Sequence, residues 1–191
     1  MDYRFSWTFL SAALVFASCG TGVNQQQTQA NGYRDLKGYF KQELVDISQQ
    51  KPALYKTVTL NNQRDSVTIN TPDSAQLQNL LQPFLEVDLN KPSLRDAYDT
   101  IVLPDQFTGK RSLLYKARNK ATLPQEVILN VDSSQRIENV QMNKHVQNLV
   151  YEYQQHLEYQ HNNHIRITTW QKIAFLPSKE LDVKILLRAH N

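Results

Sequence analysis

An α+β domain built on a curved antiparallel β-meander of six to seven strands, covered on one face by N-terminal helices, is the fold class this sequence predicts. Three observations carry it. Apolar residues recur at helical spacing in the first third of the domain, a two-residue alternation takes over after residue 100, and the alternating segments are separated by short turn-forming stretches.

The elements follow in order. Over residues 33–50, Leu36, Phe40, Leu44 and Ile47 fall at spacings of four, four and three, one face of a helix that Pro52 stops. Residues 54–60 (LYKTVTL) and 66–70 (SVTIN) are β-branched and flank Asn61-Asn62-Gln63, which reads as a hairpin. Thr71-Pro72-Asp73 then offers helix-start chemistry, and Leu77, Leu80, Leu81, Phe84 and Leu85 supply a second apolar helix face. Pro83 is expected to kink or end that helix, because it lacks an amide hydrogen.

After a short turn or helix near Arg95, candidate strands fall at 100–103, 112–118, 126–131, 136–142, 147–159, 165–175 and 181–188. Thr108-Gly109, Asp132-Ser133-Ser134, His161-Asn162-Asn163 and Pro177-Ser178-Lys179 separate them. In the 147–159 segment Leu149, Tyr151, Tyr153, Leu157 and Tyr159 alternate with Glu152, Gln154, His156 and Glu158. Val146, Leu149, Val150, Tyr153 and Leu157 also fit a helical face; the tyrosines and the following Ile165-Arg166-Ile167-Thr168-Thr169-Trp170 favour strand.

Ahead of the domain, one Arg and one Asp precede an apolar run from Phe9 through Ala17, too short to span ~30 Å of hydrocarbon. This is the pattern of a secretory signal peptide, residues 1–18. Its end, Phe16-Ala17-Ser18-Cys19-Gly20, resembles the lipobox of bacterial lipoproteins, which implies cleavage before Cys19 and lipid on its sulfur. Cys19 is the single cysteine of the chain, so no intrachain disulfide forms and the domain must rest on core packing. Residues 19–32, rich in Gln, Asn, Thr and Gly, cannot bury enough surface to offset backbone ordering and read as a flexible tether; residues 33–191 form one domain. By resemblance to lipoprotein sorting rules, the lack of Asp after Cys19 implies the periplasmic face of the outer membrane.

The formal net charge of +3 is scattered along the chain, which excludes a nucleic-acid partner, and five glycines leave no Gly-rich phosphate loop. His156, His161 and His164 lie close in sequence without a Cys partner and read as solvated, so no metal or other cofactor is expected. Glu152 and Glu158 stand ~20 Å apart along one strand, too far to share a glycosidic bond, while Asp96 and Asp99 fit a polar turn. No G-x-S-x-G motif occurs and no catalytic residue is assigned. Tyr115, Tyr151, Tyr153, Tyr159, Trp170 and Phe175 could line a groove for an apolar or sugar ligand, the first five being the candidate set, but a tyrosine face under helices is more often core than pocket, because the sheet must bury one side.

Asp35-Leu36-Lys37-Gly38-Tyr39-Phe40, Asp88-Leu89-Asn90-Lys91-Pro92 and Thr169-Trp170-Gln171-Lys172-Ile173 together resemble a group of uncharacterised lipoproteins of Bacteroidetes-type bacteria. The resemblance implies an envelope address and no reaction. At the level of architecture alone, a sheet with covering helices is similar to periplasmic carriers of lipoproteins and lipids. The expectation is a membrane-tethered, non-catalytic binding or assembly module with an envelope protein as partner. A carrier or sensor of a hydrophobic, lipid-like ligand in the sheet concavity is the alternative, and an envelope hydrolase a remote one.

Overall fold

The structure is a computed structural model describing residues 32–189. Its first helix starts where Asp35 meets an orphan backbone donor: the carboxylate accepts from the Gly38 amide at 2.8 Å. A Cβ at Gly38 would meet that carboxylate, so a side chain there would require the Asp35 rotamer to shift. From this cap α1 runs Leu36–Gln50 and closes on Lys51, whose left-handed backbone (φ 47°) turns its amide onto the Ile47 carbonyl at 2.9 Å. The helix buries Leu36, Phe40, Glu43 and Ile47.

β1 (Ala53–Leu60) and β2 (Gln63–Ile69) form the expected hairpin. Asn61 and Asn62 make its two-residue turn with φ of 46° and 73°, a conformation that asparagine tolerates and that matches the twist of the flanking strands. α2 (Ser74–Leu85) opens with a reciprocal cap: Asp73 accepts from the Gln76 amide at 2.7 Å, and the Gln76 side chain accepts from the Asp73 amide at 3.0 Å. The helix runs through Pro83 and ends at Leu85, the Glu86 amide still reaching the Gln82 carbonyl at 3.1 Å. A single 3-10 turn over Pro92–Leu94 follows.

The rest of the domain is strand: β3 Tyr98–Pro104, β4 Arg111–Ala117, β5 Glu126–Val131, β6 Ile137–Gln147, β7 Tyr151–Gln160, β8 His164–Ile173 and β9 Lys179–Arg188. All pairings are antiparallel, in one open sheet of order β2-β1-β9-β8-β7-β6-β5-β4-β3. This corrects the expectation of six to seven strands to nine. The physical reason is a long-range pairing. β1 lies along β9 from Ala53↔Arg188 to Leu60↔Leu181, so the early hairpin extends the meander and is not a separate unit. The segment expected as one strand from 147 also divides. Asn148 breaks it by accepting from the Val150 and Tyr151 amides at 3.0 and 2.9 Å, which turns the chain from β6 into β7.

Register sorts the side chains into two faces. Tyr159 and Leu157 of β7 share a face with Val140 and Met142 of β6, Val127 and Leu129 of β5, Ile165 of β8 and Ile185 of β9, all buried. Helix residues meet that face at Tyr159, whose ring stands 5.3 Å from Phe40 and 6.1 Å from Phe84, while Phe40 and Phe84 are 4.9 Å apart. The opposite face is polar, with Asn139, Gln141 and Asn143 of β6 beside Gln160, Glu158 and His156 of β7.

Candidate functional site

The face that carries the core changes along its strands. Near the β7–β8 turn it is sealed around Tyr159, Ile165 and Ile185. Two residues further along each strand, Ile167 and Val183 are partly buried at the margin of the core. Beyond them the same face is mixed: Thr169, Leu181 and Leu60, Tyr151 and Tyr153 are half-buried to exposed, Val146 and Ile173 are exposed, and Gln155, Gln171 and Lys179 stand among them. Sheet alternation alone places these groups together, since each is an even number of residues from a core position on its own strand. Tyr151 and Tyr153 stack at 6.3 Å with planes 14° apart, which makes a flat aromatic step in this open end. Lys144 lies on the same face between Met142 and Val146; burial holds its ammonium below the usual lysine range, and Glu86 acts in the opposite sense.

Of the aromatic residues singled out in the sequence, the structure brings Tyr151 and Tyr153 to this open end. Tyr115 and Tyr159 do not line a groove. Tyr115 is buried, its hydroxyl accepting from the Arg34 amide at 3.2 Å and its ring 5.5 Å from Tyr33, and Tyr159 is fully buried under Phe40. The sheet had to bury one face, and these positions are where it does so. Trp170 pairs with Gln154, one residue out of phase with Tyr153, and so belongs to the polar face. Phe175 lies past the end of β8, in the turn to β9. Cys19, the signal peptide of residues 1–18 and nearly all of the tether lie outside the described residues.

The polar face holds two shallow clefts. One of about 520 Å³ is lined by Lys110, Asn130, Glu138, Asn139, Gln141 and His161 among others, and one of about 300 Å³ includes Asn143, His156, Thr168 and Trp170. Their polar groups bind one another: Lys110 to Glu138 at 2.8 Å, Gln141 to Asn139 at 3.2 Å, His156 to Asn143 at 2.7 Å. Among the described residues no buried side-chain polar atom lacks a partner.

One polar cluster was missed from the sequence. Glu43, 4 % exposed, stands within the apolar stripe of α1 and accepts a hydrogen bond from the Tyr159 hydroxyl. His161 brings Nδ1 to 3.0 Å from the same carboxylate, so this histidine is engaged and not simply solvated. The spacing did contain the signal, since Glu43 is three residues from Phe40 and four from Ile47. Its arrangement is that of a buried acid tied to two donors on β7 and the following turn. His164 turns instead toward Glu158 at 3.5 Å and His156 toward Asn143, and among the described residues no three ligating side chains converge on a metal position. Asp99 is paired with Arg118 at 2.8 Å on the surface.

Burial, with the Glu43 charge adding to it, holds the Tyr39 and Tyr159 hydroxyls well above the usual tyrosine range; burial also raises Tyr115, and pushes Tyr98 up to about 12. These phenols stay protonated in the fold at a pH where they ionise in the unfolded chain. Their contribution is complete below pH ~10 and is lost as the pH climbs from there toward 12 and beyond. Urea melts between pH 8 and 12 are expected to show a constant midpoint up to pH ~10 and a steep fall above it. Replacing Tyr98 by Phe should make that fall shallower.

No helix of the described residues is long and apolar enough to cross a membrane. Comparison of the chain with protein-family models, with curated proteins and with solved structures finds no match.

Proposed function

We propose that this protein is a membrane-tethered lipoprotein of the bacterial envelope whose non-catalytic domain holds an apolar, lipid-like ligand on the open end of its helix-bearing sheet face. The observation that carries the reading is the change along that face from sealed core to half-exposed Leu181, Thr169, Tyr153 and Val146. Half-exposed apolar groups gathered beside a sealed core on one sheet face suit a binding region. α1 and α2, meeting the face at Tyr159, act as a partial lid. The lipobox at Cys19 and the tether of residues 19–32 support the address, on the periplasmic face of the outer membrane.

Site-specific photo-crosslinking in growing cells tests this reading. A benzophenone side chain placed at Tyr153 should yield a covalent lipid adduct on irradiation, and one at neighbouring Gln154, on the polar face, should not. Equal yields at both positions, or none at Tyr153, count against it.

A second reading rests on β3, an edge strand whose Ile101, Val102 and Leu103 are all exposed. Such an edge offers unpaired backbone groups beside apolar side chains and fits addition of a strand from a partner protein. An assembly role of this kind predicts that Val102→Lys abolishes capture of an envelope partner while the Tyr153 adduct persists.

A further inference from the structure

We propose that the two neighbouring turns at residues 148–150 and 174–178 form an apolar prong that inserts into a lipid bilayer; this deepens the tethered-lipoprotein reading and rests on it. The turns are held side by side, with the Ala174 amide donating to the Val150 carbonyl at 2.8 Å. At their tips Leu149 is 101 % exposed and Phe175 104 % exposed, and Val150 and Leu176 beside them are exposed as well. Neither turn contains a charged residue. Single exposed apolar residues are ordinary, but four on adjoining turns make a patch with a use.

Phe175 carries a second signal. Its backbone has φ 64°, a region where bulky side chains are rare and glycine or asparagine is favoured. Among the described residues the other non-glycine positions with positive φ hold Lys, Asn, Asp or Gln. A phenylalanine here costs the turn conformational free energy and, at full exposure, makes no packing contact that offsets it. What it offers instead is apolar surface pointing away from the domain.

The occupant follows from size, tether and charge. Four side chains of this kind present on the order of 500 Å², against the roughly 800 Å² each partner buries in a stable protein complex. A bilayer needs no complementary partner surface, and apolar groups seat ~5–10 Å into its headgroup boundary. Only thirteen residues separate Cys19 from Tyr33, so lipid on Cys19 keeps the domain beside the membrane. At the base of the prong Lys172 pairs across from Glu152, and Lys179 adjoins Glu180, so the charges balance. Insertion is therefore driven by apolar burial and depends little on headgroup charge. Tyr151 and Ile173, which pair directly inside the prong, belong to the open apolar face, so an amphiphile leaving the bilayer meets that face first.

Spin labels on Leu149→Cys and Phe175→Cys, in the full chain reconstituted into phosphatidylcholine vesicles, test the proposal. Asn162→Cys, in the turn at the other end of β7, is the reference. Labels at 149 and 175 should show oxygen accessibility several-fold above that of a water-soluble nickel probe, corresponding to ~5–10 Å immersion, unchanged when phosphatidylglycerol is added. Water-like accessibility equal to that at 162 overturns the proposal. So does shielding from both probes, the mark of a prong buried in a second copy, and so does immersion confined to anionic vesicles. Intact mass of the same sample reports acylation of Cys19 independently: an unacylated chain whose labels still immerse removes the tether and keeps the prong.

Discussion

Phe40→Ala is expected to lower the stability of the fold by about 3–5 kcal/mol, measured as a shift of the urea midpoint with an unchanged slope. Phe40 is fully buried and touches three rings, those of Tyr39, Phe84 and Tyr159, so it joins both helices to β7 at one point. Truncation leaves a cavity with a helix on two sides and sheet on the third. Neighbours fixed by strand pairing collapse little into such a space, which puts the cost toward the upper part of the range. Phe40→Leu should recover most of the loss, because the shape is partly kept.

Glu43→Ala should cost about 3 kcal/mol, for a different reason. It strands the Tyr159 hydroxyl, which is buried and has Glu43 as its side-chain acceptor, and it frees His161 from α1. Glu43→Gln keeps an oxygen facing the hydroxyl and should lose no more than about 1–2 kcal/mol. Tyr159→Phe separates the two halves of the effect: it retains the ring under Phe40 and leaves the carboxylate with His161. A Glu43→Ala midpoint no lower than that of the parent chain, in the same urea series, would show that the buried acid contributes nothing favourable.

Local pattern made much of this fold legible. The helix over Leu36, Phe40 and Ile47, the hairpin at Asn61-Asn62, the capping residue Asp73 and the strand character of residues 151–160 all follow from contacts a few residues apart. What lay outside the pattern is non-local. The pairing of β1 with β9 joins residues more than a hundred positions apart, and no periodicity records which edge a hairpin takes. Tyrosine content could not separate Tyr159 from Tyr153 either. Both stand on one face of one strand, and the difference is that Phe40 and Phe84 lie over the first. Leu149 alternates correctly with Tyr151 in sequence, but Asn148 turns the chain just before it and sends it to a tip. Glu43 was readable in principle, as an acid on an apolar helix stripe, and was hidden by the assumption that the neighbouring Leu44 faced the core; Leu44 is half-buried at its margin.

Native mass spectrometry of the intact chain extracted from bacterial envelopes tests the ligand-binding claim most directly. An acylated chain carrying an additional, non-covalent lipid mass is the expected result. That adduct should be absent from a Thr169→Arg variant, which sets a charge on the open apolar end, and retained by Gln154→Arg on the opposite face. A chain that emerges bare in every preparation, or one that keeps its lipid equally in both variants, would contradict the account.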